Sequence, residues 1–134
     1  MTEIGAFTLL VADYDQAIAF FVGKLGFALI EDTRLSPEKR WVRVAPKGGG
    51  ACLLLAKAST PEQVARIGDQ TCGRVGFFLH SDAFDADYAA MLANGVRFRE
   101  APRAESYGKV VVFEDCCGNL WDLLERPKPL SPQP

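Results

Sequence analysis

The sequence contains one pattern of predicted secondary structure twice, and this internal repeat constrains the fold more than any other feature. The segment FAL follows Gly26, and the similar segment VRF follows Gly95 in the second half of the chain. In the same way, Gly50 precedes ACLLLAK and Gly118 precedes NLWDLLE, and the two separations are almost equal. A repeat at a nearly fixed spacing indicates two copies of one supersecondary unit that share a core.

Each copy is predicted to hold a strand, a helix and three further strands. In the first copy, the apolar segment 4–12 predicts a strand, Asp13 is a suitable helix N-cap, and Gly26 ends the helix. The predicted fold is therefore α+β, with two βαβββ modules that form an open-barrel pair of curved mixed sheets around a shared concavity. We expect one structural domain made of a first module (1–58), a connector helix (59–70), a second module (71–126) and an extended tail (127–134).

Composition argues against several classes of function. The chain of 134 residues carries a formal net charge of -2 and has no basic stripe, so nucleic-acid binding is not expected. No run of 18 apolar residues predicts a membrane span, and the start, MTEIGAFTLLV, lacks the basic region of a signal peptide. We therefore expect a cytoplasmic protein whose four cysteines are free thiols.

Two segments carry a resemblance to a known family. They are DYDQAIAFFVGKLGF at the first helix and FEDCCGNLWDLLE at the last strands. The second is similar to the ending F-x-D-P-x-G-N-x-x-E-L, with Cys116 and Cys117 in place of the proline and its neighbour. Over residues 4–126 the chain resembles the vicinal oxygen chelate superfamily, which includes glyoxalase I, extradiol dioxygenases, fosfomycin-resistance enzymes and bleomycin-binding proteins. The resemblance also implies a homodimer.

In metal-dependent members of that superfamily, the first and last strands of each module supply four metal ligands. The resemblance places these positions at Ala6, Leu54, Arg74 and Asp122. The repeat agrees, because the separation in sequence between Ala6 and Arg74 equals that between Leu54 and Asp122. Only Asp122 offers a donor atom, and a guanidinium at Arg74 repels a cation. We therefore expect neither the family metal nor another cofactor.

An ion pair between Arg74 and Asp122 is expected at the vacated metal position, since each charge offsets the desolvation of the other. This pair has two interpretations. It either fixes the two strands with nothing bound, or it forms a ligand site in which Arg74 binds an anionic or carbonyl group and Asp122 orients it. Catalysis by Asp122 as a general base is disfavoured, because an adjacent arginine lowers the pKa of a carboxyl group.

Other side chains complete the set of candidates. Trp121 alternates with Asp122, so it should face the core. Cys116 and Cys117 are interpreted as turn residues, with a metal site built from them as the alternative. The candidate ligand-binding residues are Arg74, Asp122, Thr8, Phe78, Trp41 and Tyr107.

The sequence thus favours a protein that binds a small organic molecule, of unknown identity, without the family metal. Two alternatives stay open. One is a metal-dependent lyase, isomerase or dioxygenase of the same superfamily, and the other is a structural or interaction module with no ligand. A large cavity favours binding, whereas side chains that fill the cavity favour the interaction module.

Overall fold

The computed structural model describes residues 1–127, so most of the predicted tail at 127–134 lies outside the described residues. The first half contains β1 (Ala6–Val11), α1 (Tyr14–Ile18), a π-helical turn (Ala19–Lys24), β2 (Ala28–Arg34), β3 (Arg40–Ala45) and β4 (Cys52–Lys57). The connector helix is α2 (Pro61–Arg66). The second half contains β5 (Val75–Ser81), α3 (Phe84–Ala93), β6 (Arg97–Phe98), β7 (Arg103–Glu105), β8 (Gly108–Glu114) and β9 (Leu120–Glu125).

The strands form two sheets with the same internal order, which confirms the predicted repeat. The first sheet has the order β1-β4-β3-β2, and the second has the order β5-β9-β8-β6, with β7 paired to β8. In each sheet the first strand lies parallel to the last strand of its module, and the other pairs are antiparallel. The α+β fold class is therefore confirmed, as two mixed sheets that are not closed into a barrel.

One strand was missed by the sequence prediction. β7 has three residues and pairs with β8 through a hairpin whose tight turn contains Tyr107. A segment this short shows too little alternation of apolar and polar residues to be recognised. It extends the second sheet beyond the three strands predicted after α3.

The helix of the first module begins at its predicted cap. The side chain of Asp13 accepts a hydrogen bond of 2.8 Å from the backbone N–H of Gln16. The helix continues past Ile18 as the π-helical turn, and Gly26 follows it with a φ of 74°. This positive φ is the left-handed conformation that glycine adopts without strain at the end of a helix.

A single hydrophobic core joins the two modules. Phe21 of the π-helical turn is fully buried, and its ring centroid lies 5.7 Å from that of Trp121 in β9. Trp121 also stacks on Phe77 of β5 at 4.6 Å, so its predicted core position is confirmed. One face of each sheet therefore packs against this shared apolar core. The opposite face of each sheet points away from the core.

The connector between the modules is bound to the edge of β1. The side-chain amide of Gln70 donates to the carbonyl oxygen of Thr8 at 2.7 Å and accepts from the N–H of Leu10 at 3.0 Å. The backbone N–H of Gln70 donates to Oδ1 of Asn119, just before β9. Gln70 thus links the two sheets. No helix among residues 1–127 is long and apolar enough to cross a membrane.

Candidate functional site

The face of the first sheet that points away from the core carries a row of side chains in register. Thr8 pairs with Leu54, Leu54 with Arg43, and Arg43 with Glu31 across the four strands. The next row, which includes Leu9 and Leu55, is buried in the core. Because successive residues of a strand point to opposite sides, the first row lies on the outer face.

A cleft of about 710 Å³ opens beside this row. Trp41, which is 40% exposed, lines it together with Leu54 and Ala56. Cationic side chains at Lys39 and Lys57 also line the cleft. Every residue that lines it belongs to the first half of the chain, so the cleft is not shared between the two modules.

Arg43 is a charged residue of this outer face that the sequence analysis did not select as a site residue. Its Nε donates a hydrogen bond of 3.0 Å to Glu31, and its guanidinium lies 3.9 Å from the sulfur of Cys52. Glu31 thus holds the cation in place beside Leu54. The signal in the sequence was the spacing of two between Trp41 and Arg43, which places both side chains on one face of β3.

The outer face of the second sheet holds two of the predicted site residues side by side. Phe78 of β5 pairs with Asp122 of β9, which pairs in turn with Val112 of β8. Phe78 is 61% exposed, whereas Asp122 is half-buried. Burial raises the pKa of the Asp122 carboxyl above its ordinary value, Arg103 partly opposes this increase, and Glu100 adds to it.

The expected ion pair between Arg74 and Asp122 is wrong. Arg74 is exposed and lies just before the first residue of β5. The ion pairs formed within residues 1–127 include neither Arg74 nor Asp122. The charged groups that influence the Asp122 carboxyl are Arg103 and Glu100, so the argument that Arg74 lowers its pKa is also wrong.

The register of β5 explains the error. A constant separation between equivalent positions of the two modules requires Gly76 opposite Asp122, as Thr8 is opposite Leu54, but the structure places Phe78 there. The register shifts between Val75 and Phe77. The preceding turn folds over the strand at this point: a Cβ on Gly76 would lie 2.6 Å from the methyl group of Thr71. Thr71 also donates a hydrogen bond to the carbonyl of Arg74 and so holds the turn in place.

The four positions implied for a family metal do not fit a metal ion. Ala6 and Leu54 have no donor atom, and Arg74 is an exposed cation outside β5. Asp122 alone could bind a metal, and one carboxylate is not a site. Of the remaining two candidates, Thr8 pairs with Leu54 in the outer row of the first sheet, whereas Tyr107 lies apart from this set, exposed in the β7–β8 turn.

A comparison with known proteins decides the family. Residues 3–123 match the model of the Glyoxalase/Bleomycin resistance protein/Dioxygenase superfamily. The chain belongs to this superfamily. A relative from Shewanella frigidimarina (strain NCIMB 400), described as an uncharacterized protein, is 54% identical over 119 residues, which are 87% of this chain and 88% of the relative. The uncharacterized protein YetH of Bacillus subtilis (strain 168) is 32% identical over 92% of this chain and 98% of its own.

Solved structures share the fold over nearly the whole chain. The crystal structure of UcmS2 superposes with a TM-score of 0.82 at 29% identity, over 94% of this chain and 99% of that one. TnmS3 of Streptomyces sp. CB03234, described as an antibiotic-binding protein, superposes with a TM-score of 0.75 at 29% identity, over 96% of this chain and 98% of that one. The description of the superfamily covers glyoxalases, bleomycin resistance proteins and dioxygenases, so the function has to be argued from the site.

Proposed function

We propose that this superfamily member binds a small organic molecule in the cleft on the outer face of its first sheet, without a metal ion. The proposal rests on the side chains that line this cleft. Leu54, which stands at a position implied for a metal ligand, lines the cleft together with the exposed ring of Trp41. An apolar side chain thus replaces a metal donor, and an aromatic ring lies beside it.

The chemistry of the cleft indicates the class of ligand. Trp41 offers an indole face, on which a planar ring can stack, and Leu54 and Ala56 add apolar surface. Lys39 and Lys57 at the same cleft favour a molecule that carries an anionic or carbonyl group. The antibiotic-binding description of TnmS3, at 29% identity, supports a ligand of this general kind.

Fluorescence separates ligand binding at this cleft from binding elsewhere. The chain has two tryptophans, Trp41 exposed at the cleft and Trp121 buried in the core. The probe is 8-anilinonaphthalene-1-sulfonate, an anionic aromatic dye, followed by its displacement with a panel of aromatic small molecules that includes antibiotics. We expect the probe to quench Trp41, and Trp41→Ala to weaken its binding roughly tenfold through loss of the aromatic contact.

A matched control is available outside the cleft. Leu92 on α3 is 53% exposed and does not line the cleft, so Leu92→Ala should leave probe binding unchanged. Equal binding to the wild type and to Trp41→Ala would show that the cleft is not the site. Absence of binding by the whole panel would favour the structural or interaction module instead.

We also propose that the protein forms a homodimer and that the outer face of the second sheet lies in the dimer interface. Phe78 exposes 61% of its surface beside Asp122, and this pair offers an apolar contact with one carboxyl group. Covering Phe78 with a second copy would remove that surface from water. Sedimentation velocity should therefore give a dimer, and Phe78→Glu should shift it towards the monomer. The same change at Leu92 should not.

Metal dependence separates this proposal from the competing enzyme function. A lyase, isomerase or dioxygenase of this superfamily requires a bound metal, and Asp122 is the one donor among the four implied positions. We offer Ni(II), Zn(II), Mn(II) and Fe(II) in turn to the wild type and to Asp122→Ala. We expect the same uptake by both proteins. Uptake of one ion per chain that disappears in Asp122→Ala would overturn the proposal and favour the enzyme.

A further inference from the structure

Two adjacent cysteines face a second cleft, which lies beside the π-helical turn. The sulfur atoms of Cys116 and Cys117 lie 3.7 Å apart in the turn between β8 and β9. Both residues line a cleft of about 530 Å³, whose other lining residues include Lys24, Arg97 and Glu114. The proposed ligand residues Trp41, Phe78 and Asp122 do not line this cleft, so it is a separate site.

The turn fixes these two cysteines through Asp115. Oδ1 of Asp115 accepts hydrogen bonds from the backbone N–H groups of Cys117, Gly118 and Asn119 at 2.9, 3.1 and 3.0 Å. Oδ2 accepts from the side chains of Asn119 and Trp121, both at 3.0 Å. The carboxylate is therefore fully engaged, although it lies within 4.8 Å of both sulfur atoms. The two sulfur atoms are therefore the atoms of this turn that remain available to bind a metal ion.

The spacing of the two sulfur atoms suits a chelate. Bonds of about 2.3 Å, typical of zinc–thiolate, to sulfur atoms 3.7 Å apart enclose an angle of roughly 107° at the ion, close to the tetrahedral value. We propose that Cys116 and Cys117 together chelate one thiophilic divalent cation of the zinc and cadmium class. Water molecules from the cleft complete the coordination.

The charge balance of this step is compatible with the cleft, where the carboxylates of Glu114 and Asp115 accompany the cations Lys24 and Arg97. Each thiol releases its proton to solvent as its sulfur bonds the ion, so one divalent cation and two thiols give a neutral bis-thiolate and two protons. Binding therefore adds no net charge beside Lys24 and Arg97. Thiolate ligands select soft ions over magnesium or calcium, which prefer oxygen.

Cadmium titration of the full-length protein tests the proposal. The protein is kept reduced with a phosphine, and the thiolate-to-cadmium absorption in the near ultraviolet is followed together with proton release. We expect one ion and two protons per chain. Cys116→Ser and Cys117→Ser should each weaken binding about 100-fold, because each removes one of two thiolate bonds. Cys72→Ser, which changes an exposed thiol elsewhere, should bind as the wild type does.

A second measurement uses the wild type alone, in case a serine variant does not fold. Alkylation followed by peptide mass analysis should show that cadmium protects Cys116 and Cys117 but not Cys72. Three results would each overturn the proposal: no cadmium uptake by the reduced wild type, no protection of Cys116 and Cys117 by cadmium, or cadmium uptake that is lost in Cys72→Ser. Magnesium in place of cadmium should protect none of the thiols.

Discussion

The indole Nε1 of Trp121 donates a hydrogen bond of 3.0 Å to Oδ2 of Asp115, inside the turn that joins β8 to β9. Both residues are buried, and Asp115 accepts further hydrogen bonds from the backbone of the same turn. The aromatic core of the molecule and the turn that holds the two cysteines are thus connected through one carboxylate. Changes at Asp115 should affect both.

Asp115→Ala should lower the free energy of unfolding by at least about 3 kcal/mol, since it leaves buried N–H groups without an acceptor. Trp121→Phe removes one of these donors together with part of the ring and should cost less. Urea unfolding at neutral pH measures both. Asp69→Ala, at an exposed aspartate of the connector, should stay within about 0.5 kcal/mol of the wild type. A loss from Asp115→Ala as small as that of the control would contradict the role of the carboxylate.

Gly68→Ala should destabilise the protein by more than about 2 kcal/mol. Gly68 has a φ of 78°, where a side chain costs energy, and a Cβ there would lie 2.1 Å from the carbonyl oxygen of Cys117. Gly23→Ala is the matched control, because Gly23 lies in the π-helical turn with nothing within 4 Å of its Cβ position. That change should be neutral or stabilising by up to about 1 kcal/mol. Thermal unfolding of the two variants side by side tests the contrast.

Asp32→Asn should weaken the protein at neutral pH but not in acid. Hydrogen bonds from Arg40, at 2.6 and 3.0 Å, lower the pKa of the Asp32 carboxyl. The native state therefore binds fewer protons than the unfolded state around pH 4, and the stabilisation is present above that pH and lost below it. Because the pair is partly exposed, we expect a loss below about 1 kcal/mol at pH 7. The unfolding curves of the wild type and of Asp32→Asn should differ at pH 7 and coincide at pH 3.

Asp122→Asn should raise the stability of the protein at neutral pH, whereas Asp32→Asn lowers it. Burial raises the pKa of the Asp122 carboxyl in the native state. As the pH rises above about 4, the carboxyl of the unfolded state therefore loses its proton before that of the native state does. Stability falls across that window, and at neutral pH the buried charge leaves the wild type less stable than the variant. NMR titration of the carboxyl carbon reports the pKa directly. Arg74→Ala should leave it unchanged, whereas Arg103→Ala should raise it further.

The sequence predicted the fold well because the repeat determines it. Gly26 and Gly95 end the two helices with φ values of 74° and 84°, and the two sheets have the same strand order. Prediction of the site was weaker, because a constant separation between equivalent positions cannot reveal the register shift beside Gly76. Arg74 lies before the first residue of β5, and the ion pairs within residues 1–127 do not include it. The alternation of residues in a strand, which does not depend on that separation, placed Trp121 in the core and Asp122 on the other face.

The sequence predicted that Cys116 and Cys117 lie in a turn, but it did not predict which side chains surround them in the fold. From the sequence, the residues beside Cys116 and Cys117 are Glu114 and Asp115, and the two cysteines were interpreted as turn residues, with a metal site as the alternative. In the structure, Lys24 from the first module and Arg97 from β6 line the same cleft. These side chains come from distant segments, so their proximity depends on how the two modules pack.

The side chain of Gln70 has a consequence for how copies of this protein can meet. It occupies the hydrogen-bonding groups of Thr8 and Leu10 on the outer edge of β1, as a neighbouring strand would do. An unoccupied edge invites another chain to add a strand and is a common origin of aggregation. Gln70 blocks this route at β1, so within the first sheet a strand from another copy would have to add at β2, the opposite edge.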